Sequence, residues 1–393
     1  MKHFVNCLLA FVCGFLNFRA ALRMPLSILM GTGTTAAERV VQWEDKFFSE
    51  YVRANRFKRY MGTNENAIIQ IKENLTKAKG DAITINLVGA LDASAGPNDG
   101  TSALVGFEKA LPNDGHKITV KVVRDAVTVN EIEEQASPID ILKAGEVALK
   151  DLCMRYLRNA IIAALQTING VAYATASAAQ RNTWLVDNAD RVLFGAAKSN
   201  NAANVHATSL ANIDNVADKL TGSVVSLAKR IAQTATTANG DGIRPFTYGE
   251  DEETFVMFAP TQAFRDLREW MVVNGKWDTA LERSAANPLY SGPTSIEWDG
   301  VMVREIPEIP ILVGVGALGI DVAPCFLCGA QAIGIAWAKR TKSTIKTETD
   351  YENSRGVGFK EIRGIEKLQW GQGGADAVDW SVCTVYVAGV ADV

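Results

Sequence analysis

Gly314, Gly316 and Gly319 stand at the G-x-G-x-x-G spacing that lets a backbone close on a pyrophosphate, and they follow an apolar run at 311–315. That chemistry needs a helix next, whose first amides hold the phosphate, and an acid about 20 positions on. The chain continues instead as Ile320-Asp321-Val322-Ala323-Pro324, an extended pattern, and the downstream region reads Ala338-Lys339-Arg340. A glycine-rich turn between strands accounts for these residues better. Cys325 and Cys328 form a C-x-x-C, but no second pair accompanies them and the surrounding 322–337 is an apolar, strand-like run. They read as buried core thiols. His3, His116 and His206 are too scattered to build a metal site and leave little choice of general base near neutral pH. Glu133-Glu134 and Glu250-Asp251-Glu252-Glu253 read as solvated charge runs. The sequence contains no G-x-S-x-G elbow, no phosphate loop ending in Lys-Ser or Lys-Thr, and no H-E-x-x-H. No residue is therefore assigned to catalysis, to a cofactor or to a metal, and the chain is not expected to be an enzyme.

The elements that carry these residues belong to a large chain. With 393 residues, 48% of them apolar, it can bury the cores of two or three folding units. Its 40 basic and 44 acidic residues leave a net charge of -4, so any contact with nucleic acid must be local. The cysteines at 7, 13, 153, 325, 328 and 383 form no even framework, which fits a reducing compartment. Met1-Lys2-His3 followed by the apolar stretch 4–18 resembles a secretory start, yet that stretch is shorter than the roughly 20 residues of a membrane span. Asn17 to Arg23 is bulky and basic rather than a small-x-small cleavage site, and Met24 and Met30 come after it. Residues 1–29 are expected to be an apolar leader outside the mature fold. The competing reading is a genuine export signal or anchor, and with it a secreted or surface-layer structural protein.

Residues 30–66 read as an N-terminal arm. Within it, 35–62 interleaves Trp43, Phe47, Phe48, Tyr51, Phe57 and Tyr60 with Arg53, Arg56, Lys58 and Arg59. Such a segment either packs on its own domain with a solvated basic face or reaches a partner subunit or packaged nucleic acid. Residues 67–130 read as an extended β-hairpin, from β-like runs at 67–72, 82–88 and 117–130, with a phase shift at Val123. Its tip runs from Asp92 through Pro97 to Gly100, turn chemistry throughout. Such an arm buries little core alone and makes sense when another chain covers it. Arg53, Arg56, Lys58, Arg59, Asp92 and Pro97 are the candidate inter-subunit or DNA-side contacts.

Ser137 as N-cap, Pro138 and Asp140 open a helix that runs to Asn169. About 32 residues at 1.5 Å each make a spine of about 48 Å, with Leu149, Leu152 and Tyr156 on its apolar side. Residues 171–290 read as a second domain with helices at 212–235 and 261–273 and a strand at 255–258. Strands return at 300–306, 311–315, 324–337 and 377–387. The class is α+β.

Several stretches of this pattern resemble a known family. The segment order is that of the Hong Kong 97-type capsid fold. Lys276-Trp277-Asp278, Asn287-Pro288-Leu289-Tyr290 and Trp298 through Pro307 resemble the major capsid proteins of the coliphage N-four type. Cys328-Gly-Ala-Gln-Ala through Trp337 and Tyr351 through Gly358 to Lys367 resemble that family's later segments. The resemblance implies the major capsid protein of a tailed phage, self-assembling into an icosahedral shell around double-stranded DNA. It also implies a peripheral domain carrying the spine helix at 131–170 and the strands of 291–393, and an axial domain at 171–290 that meets its copies in pentamers and hexamers. Scaffold, portal and decoration proteins are further implied partners. The resemblance implies no membrane and no cofactor, a place in the virion, and assembly in the bacterial host cytoplasm. An encapsulin-like nanocompartment shell is the alternative with the same architecture.

Overall fold

Alternating apolar residues at 83, 85 and 87, and a continuous apolar run at 322–328, set up the strand framework in a computed structural model of the chain. It describes residues 56–73, 80–91, 104–236, 242–248, 252–276, 295–346 and 353–390. These fall in the unit Glu50–Val393; the other unit, Met1–Ser49, lies outside the described residues, and with it the leader reading. In chain order the first elements are β1 (Met61–Gly62), β2 (Ile69–Lys72), β3 (Ala82–Val88), β4 (Asn113–Thr119) and β5 (Lys121–Asn130). Next are helices α1 (Glu131–Ala136), α2 (Ile141–Leu165) and α3 (Ala178–Asp187), strand β6 (Val192–Phe194) and helices α4 (His206–Ala211) and α5 (Gly222–Thr234). Then come β7 (Phe246–Tyr248), β8 (Glu252–Ala259), α6 (Thr261–Val273), β9 (Ser295–Trp298), β10 (Val301–Glu305) and β11 (Val322–Cys328). Strands β12 (Ile333–Ile345), β13 (Ser354–Lys367), β14 (Gln369–Trp370), β15 (Val378–Asp379) and β16 (Val382–Ala388) complete the order.

The first sheet runs β1-β2-β12-β13-β5, with β13 antiparallel to both neighbours. Helix α2 covers one face, and Gly145 brings it close: a Cβ there would lie 3.1 Å from Val127 Cγ1. The hairpin β3–β4 lies on the other face. Ile83, Ile85, Leu87 and Ile118 are all at most 5% exposed, packed with Ala336, Leu368 and Trp380. A Cβ on Gly334 would sit 2.4 Å from Ile118 Cδ1, and one on Gly364 2.3 Å from the Thr119 carbonyl oxygen. The base of the hairpin thus anchors firmly on its own subunit, at about 1.5–3 kcal/mol per fully buried aliphatic side chain. This corrects the expectation of an arm with little core of its own. The 67–130 segment also divides otherwise than expected: β2 pairs with β12, and the break at Val120 sends β5 to β13 instead of bulging at Val123.

The spine helix is shorter than its sequence pattern implied. Short α1 ends at Ser137, and Asp140 caps α2, its Oδ1 accepting from the Lys143 amide at 3.0 Å. Ser137 Oγ instead accepts from the Ile139 amide at 3.3 Å. The 25 residues of α2 span about 37 Å. Its buried stripe is Leu149, Cys153, Leu157 and Ile161, while Leu152 and Tyr156, expected inside, are 42% and 48% exposed. A stripe repeating at i+4 is enough to cover the sheet, and residues one position away from it turn off the contact.

The second sheet runs β6-β16-β11-β8-β10-β9, with β7 paired to β8. Helices α5 and α6 pack on one face of it, burying Val224, Val225, Ala228 and Ile231 against Phe264, Leu267 and Met271. Helix α5 begins at Gly222 under the Thr221 cap rather than at Asn212. The sheet joins strands from 192 to 388, so strands on both sides of residue 290 share one core. The run 324–337 is two strands in two different sheets, and 311–315 is loop held by a single bridge between Leu312 and Val322. The glycine pattern at 314–319 closes as a turn, with the Gly316 amide donating to the Ile320 carbonyl at 2.9 Å.

A buried polar knot ties the two sheets. Lys367 at the end of β13 meets Asp379 in β15 at 2.6 Å and also donates to the Thr167 carbonyl at 2.7 Å. Asp379 accepts further from Gln369 at 2.9 Å and from the Trp184 indole at 3.2 Å. Arg191, 1% exposed, donates to the Asp379 carbonyl and to that of Thr236 and pairs with Asp190 at 3.1 Å. Every charge in the knot has a partner, the condition under which buried ions are tolerated.

Candidate assembly surfaces

Of the sequence-selected contacts, Arg53, Asp92 and Pro97 lie outside the described residues. Arg56 approaches Glu308 at 3.6 Å, and the same carboxylate takes Arg158 of α2 at 3.2 Å. Phe57 and Tyr60 are buried edge-on against Phe258, with ring centroids at 5.1 and 5.3 Å. Lys58 and Arg59 stay exposed around them. Residues 56–60 are therefore fastened to their own subunit by aromatic burial, with a basic outer side. Of the aromatics that sequence periodicity left open between two roles, Phe57 and Tyr60 are anchors, and Trp43, Phe47, Phe48 and Tyr51 lie outside the described residues.

The far end of the hairpin has the opposite character. Leu104-Val105-Gly106-Phe107 is a turn closed by the Phe107 amide on the Leu104 carbonyl at 3.0 Å, and Gly106 supplies the φ of 91° that the turn demands. Val105 and Phe107 are 84% and 72% exposed, and Leu91, Leu104 and Leu111 are more than half exposed. Turn positions are ordinarily polar, so this turn is an unusual exposed apolar patch.

A groove of about 660 Å³ opens between α2, the β4–β5 corner and the end of β13. Glu361 and Arg363, two apart on β13, point under α2 and pair at 2.7 Å with exposures of 1% and 2%. Thr341 also donates to Glu361 at 2.8 Å, yet burial pushes the Glu361 carboxyl above its ordinary range. A second groove, about 830 Å³ and mostly apolar, has His206 at its floor among Tyr173, Trp184, Phe194 and Tyr386. Burial, and then the Arg181 charge, pull the His206 imidazole down to about 4. Cys153, Cys325, Cys328 and Cys383 are buried free thiols, pushed up by desolvation and poor nucleophiles for that reason. Among the described residues no group of three or more His, Cys, Asp or Glu could hold a metal, and no helix is long and apolar enough to cross a membrane.

Residues 31–391 match the family described as phage capsid protein. The chain belongs to that family. A chain of the cyanophage Pam1 capsid asymmetric unit shares 29% identity and superposes with a TM-score of 0.74, covering 87% of this chain and 94% of that one. The capsid of Ralstonia phage GP4 is similar in fold at 20% identity and a TM-score of 0.67, covering 86% and 92%. The head of Helicobacter pylori bacteriophage KHP40 shares the fold at 13% identity and a TM-score of 0.57, covering 85% and 90%. None of the curated proteins matches in sequence. The family and these capsids support the function expected from sequence, the major capsid protein of a tailed phage.

In this phage capsid protein the charged groove was harder to foresee than the core. The Glu361–Arg363 pair sits on β13, a strand absent from the sequence-derived order because two buried charges interrupt its apolar alternation at Val357, Phe359 and Ile365. The period of two was there to be seen once charges were allowed on the buried face.

Proposed function

We propose that this capsid protein builds a closed icosahedral head around double-stranded DNA, with the Hong Kong 97-type arrangement and kinship to the N-four type. The observation that supports the proposal is the apolar turn around Val105 and Phe107, exposed beyond a hairpin base that is locked to its own subunit. In this reading the connection between β3 and β4, around Val105 and Phe107, reaches over a neighbouring copy while the strands themselves stay on their own sheet. The first sheet with α2 forms the peripheral domain, and the second sheet with α5 and α6 the axial domain at the centre of pentamers and hexamers. Lys58 and Arg59 then contribute to a local basic surface toward packaged DNA without base readout, since phosphate contacts carry no sequence information. Scaffold, portal and decoration proteins are partners in the same scheme, and assembly takes place in the host cytoplasm before the subunit ends in the virion.

Negative-stain microscopy and sedimentation of the purified protein, alone and co-expressed with neighbouring phage genes, test this. Closed shells or curved sheets are expected. Monomers at every concentration in both settings overturn it. The cargo separates a phage head from a nanocompartment, because heads hold DNA and compartments hold a protein.

A further inference from the structure

We infer that the groove over Arg363 is the seat for acidic helix α1 of a second copy of this chain. The inference rests on the shell-forming reading above and adds a specific contact to it. Arg363 is buried; its Nε donates to Glu361, while neither Nη1 nor Nη2 has a hydrogen-bond partner among the described residues. The Tyr156 and Trp337 rings lie 5.2 and 5.7 Å from the guanidinium carbon, which favours the cation but takes no N–H. Leaving buried donors of a charged group unmet is costly, and a carboxylate meets two of them in a single forked contact. The nearby acids are already engaged: Glu361 accepts from Thr341, and Glu366 faces His116 at 3.3 Å and takes the Thr119 amide at 3.2 Å. The groove's remaining lining includes Lys121, Val123, Tyr156 and Ala160, so it offers apolar surface beside positive charge.

Helix α1 has the complementary character. Glu131, Glu133 and Glu134 fill its first turn, none of its residues is buried, and Ile132 and nearby Ile139 are 76% and 64% exposed. Among the described residues nothing buries it. It cannot fold back to its own groove, because Tyr156 lies 15 residues along rigid α2 from Ile141, about 22 Å. The contact is therefore between copies. It joins two different surfaces head to tail, the type of contact that closes into rings or extends into a lattice.

The test is a Glu133→Cys/Tyr156→Cys variant of the full chain, assembled into particles and oxidised. A ladder of covalent multimers on a non-reducing gel is expected, with none from either single variant. Particles of normal size that give no ladder overturn the contact while leaving the shell reading intact; absence of particles from the unmodified chain overturns the shell reading itself. Should the cysteine variant not assemble, Glu131→Gln/Glu133→Gln/Glu134→Gln serves instead. Its subunit should melt as the unmodified one does, and the concentration needed for assembly should rise at least about tenfold, as for loss of a buried charge's partner. Unchanged assembly of that variant refutes the proposal.

Discussion

Lys367 Nζ and Asp379 Oδ2 meet at 2.6 Å with both side chains 1% exposed, at the point where the strand β13 of one sheet passes into the chain leading to the other. The pair holds Thr167 and Gln369 in the same knot. Removing one partner leaves a buried charge uncompensated, which costs about 3–5 kcal/mol. Asp379→Asn is expected to lower subunit stability by that amount in urea unfolding, whereas Lys339→Met, on an exposed stretch of β12, should change it little. Equal effects would show that the knot is not a centre of stability.

His206 predicts the pH response. Its folded value of about 4 lies below the ordinary 6.5, so the unfolded chain binds the proton first as pH falls. Stability from this group is complete above pH 6.5, declines between 6.5 and about 4, and is gone below that, for a total of about 3 kcal/mol. His206→Phe, which keeps a ring in the aromatic cage, should lose less stability than the parent between pH 7 and 4.5. Denaturant midpoints at the two pH values measure this, and an identical loss in both proteins would remove His206 as the cause.

Glycine spacing under the hairpin gives a graded prediction. A Cβ at Gly334 would press on the movable ends of Ile118, Ile85 and Leu368, but one at Gly364 would meet the rigid Thr119 carbonyl. Gly364→Ala should therefore destabilise by about 1–3 kcal/mol and loosen the hairpin to protease, and Gly334→Ala by less. The reverse order would mean that the hairpin base tolerates backbone movement.

The cap of α2 separates two serviceable sequence readings. Asp140→Ala should cost about 1 kcal/mol, since its carboxylate takes the Lys143 amide, and Ser137→Ala a few tenths. Urea midpoints of the two single variants decide between them.

Much of this protein could be read from residue order alone. The mixed α+β class, the β3 alternation, α6 at 261–273 and the buried character of Cys325 and Cys328 stem from local periodicity and from the habit of free cysteine to bury, and the structure bears them out. So does the failure of Gly314, Gly316 and Gly319 to open a helix, because Ile320 through Pro324 continue in extended backbone. Capsid family likeness was legible in the order of segments and in moderately specific patterns between 276 and 370, within the residues 31–391 that match the phage capsid protein family.

Partnership across the chain was not legible. Val120 divides one apparent strand into β4 and β5 because Gly364 lets the hairpin cross there, a contact between positions more than 240 apart in sequence. Leu152 and Tyr156 fall outside for a similar reason: a helix with several apolar stripes shows the same period whichever stripe the sheet takes. Whether the hairpin had a core of its own depended on Ala336, Leu368 and Trp380, residues that no local pattern assigns to it. Local patterns determine which elements form, since they act within one or two turns or strand pairs. Which faces meet, and which surfaces are left for another copy to cover, is decided by long-range packing that only the assembled tertiary structure contains.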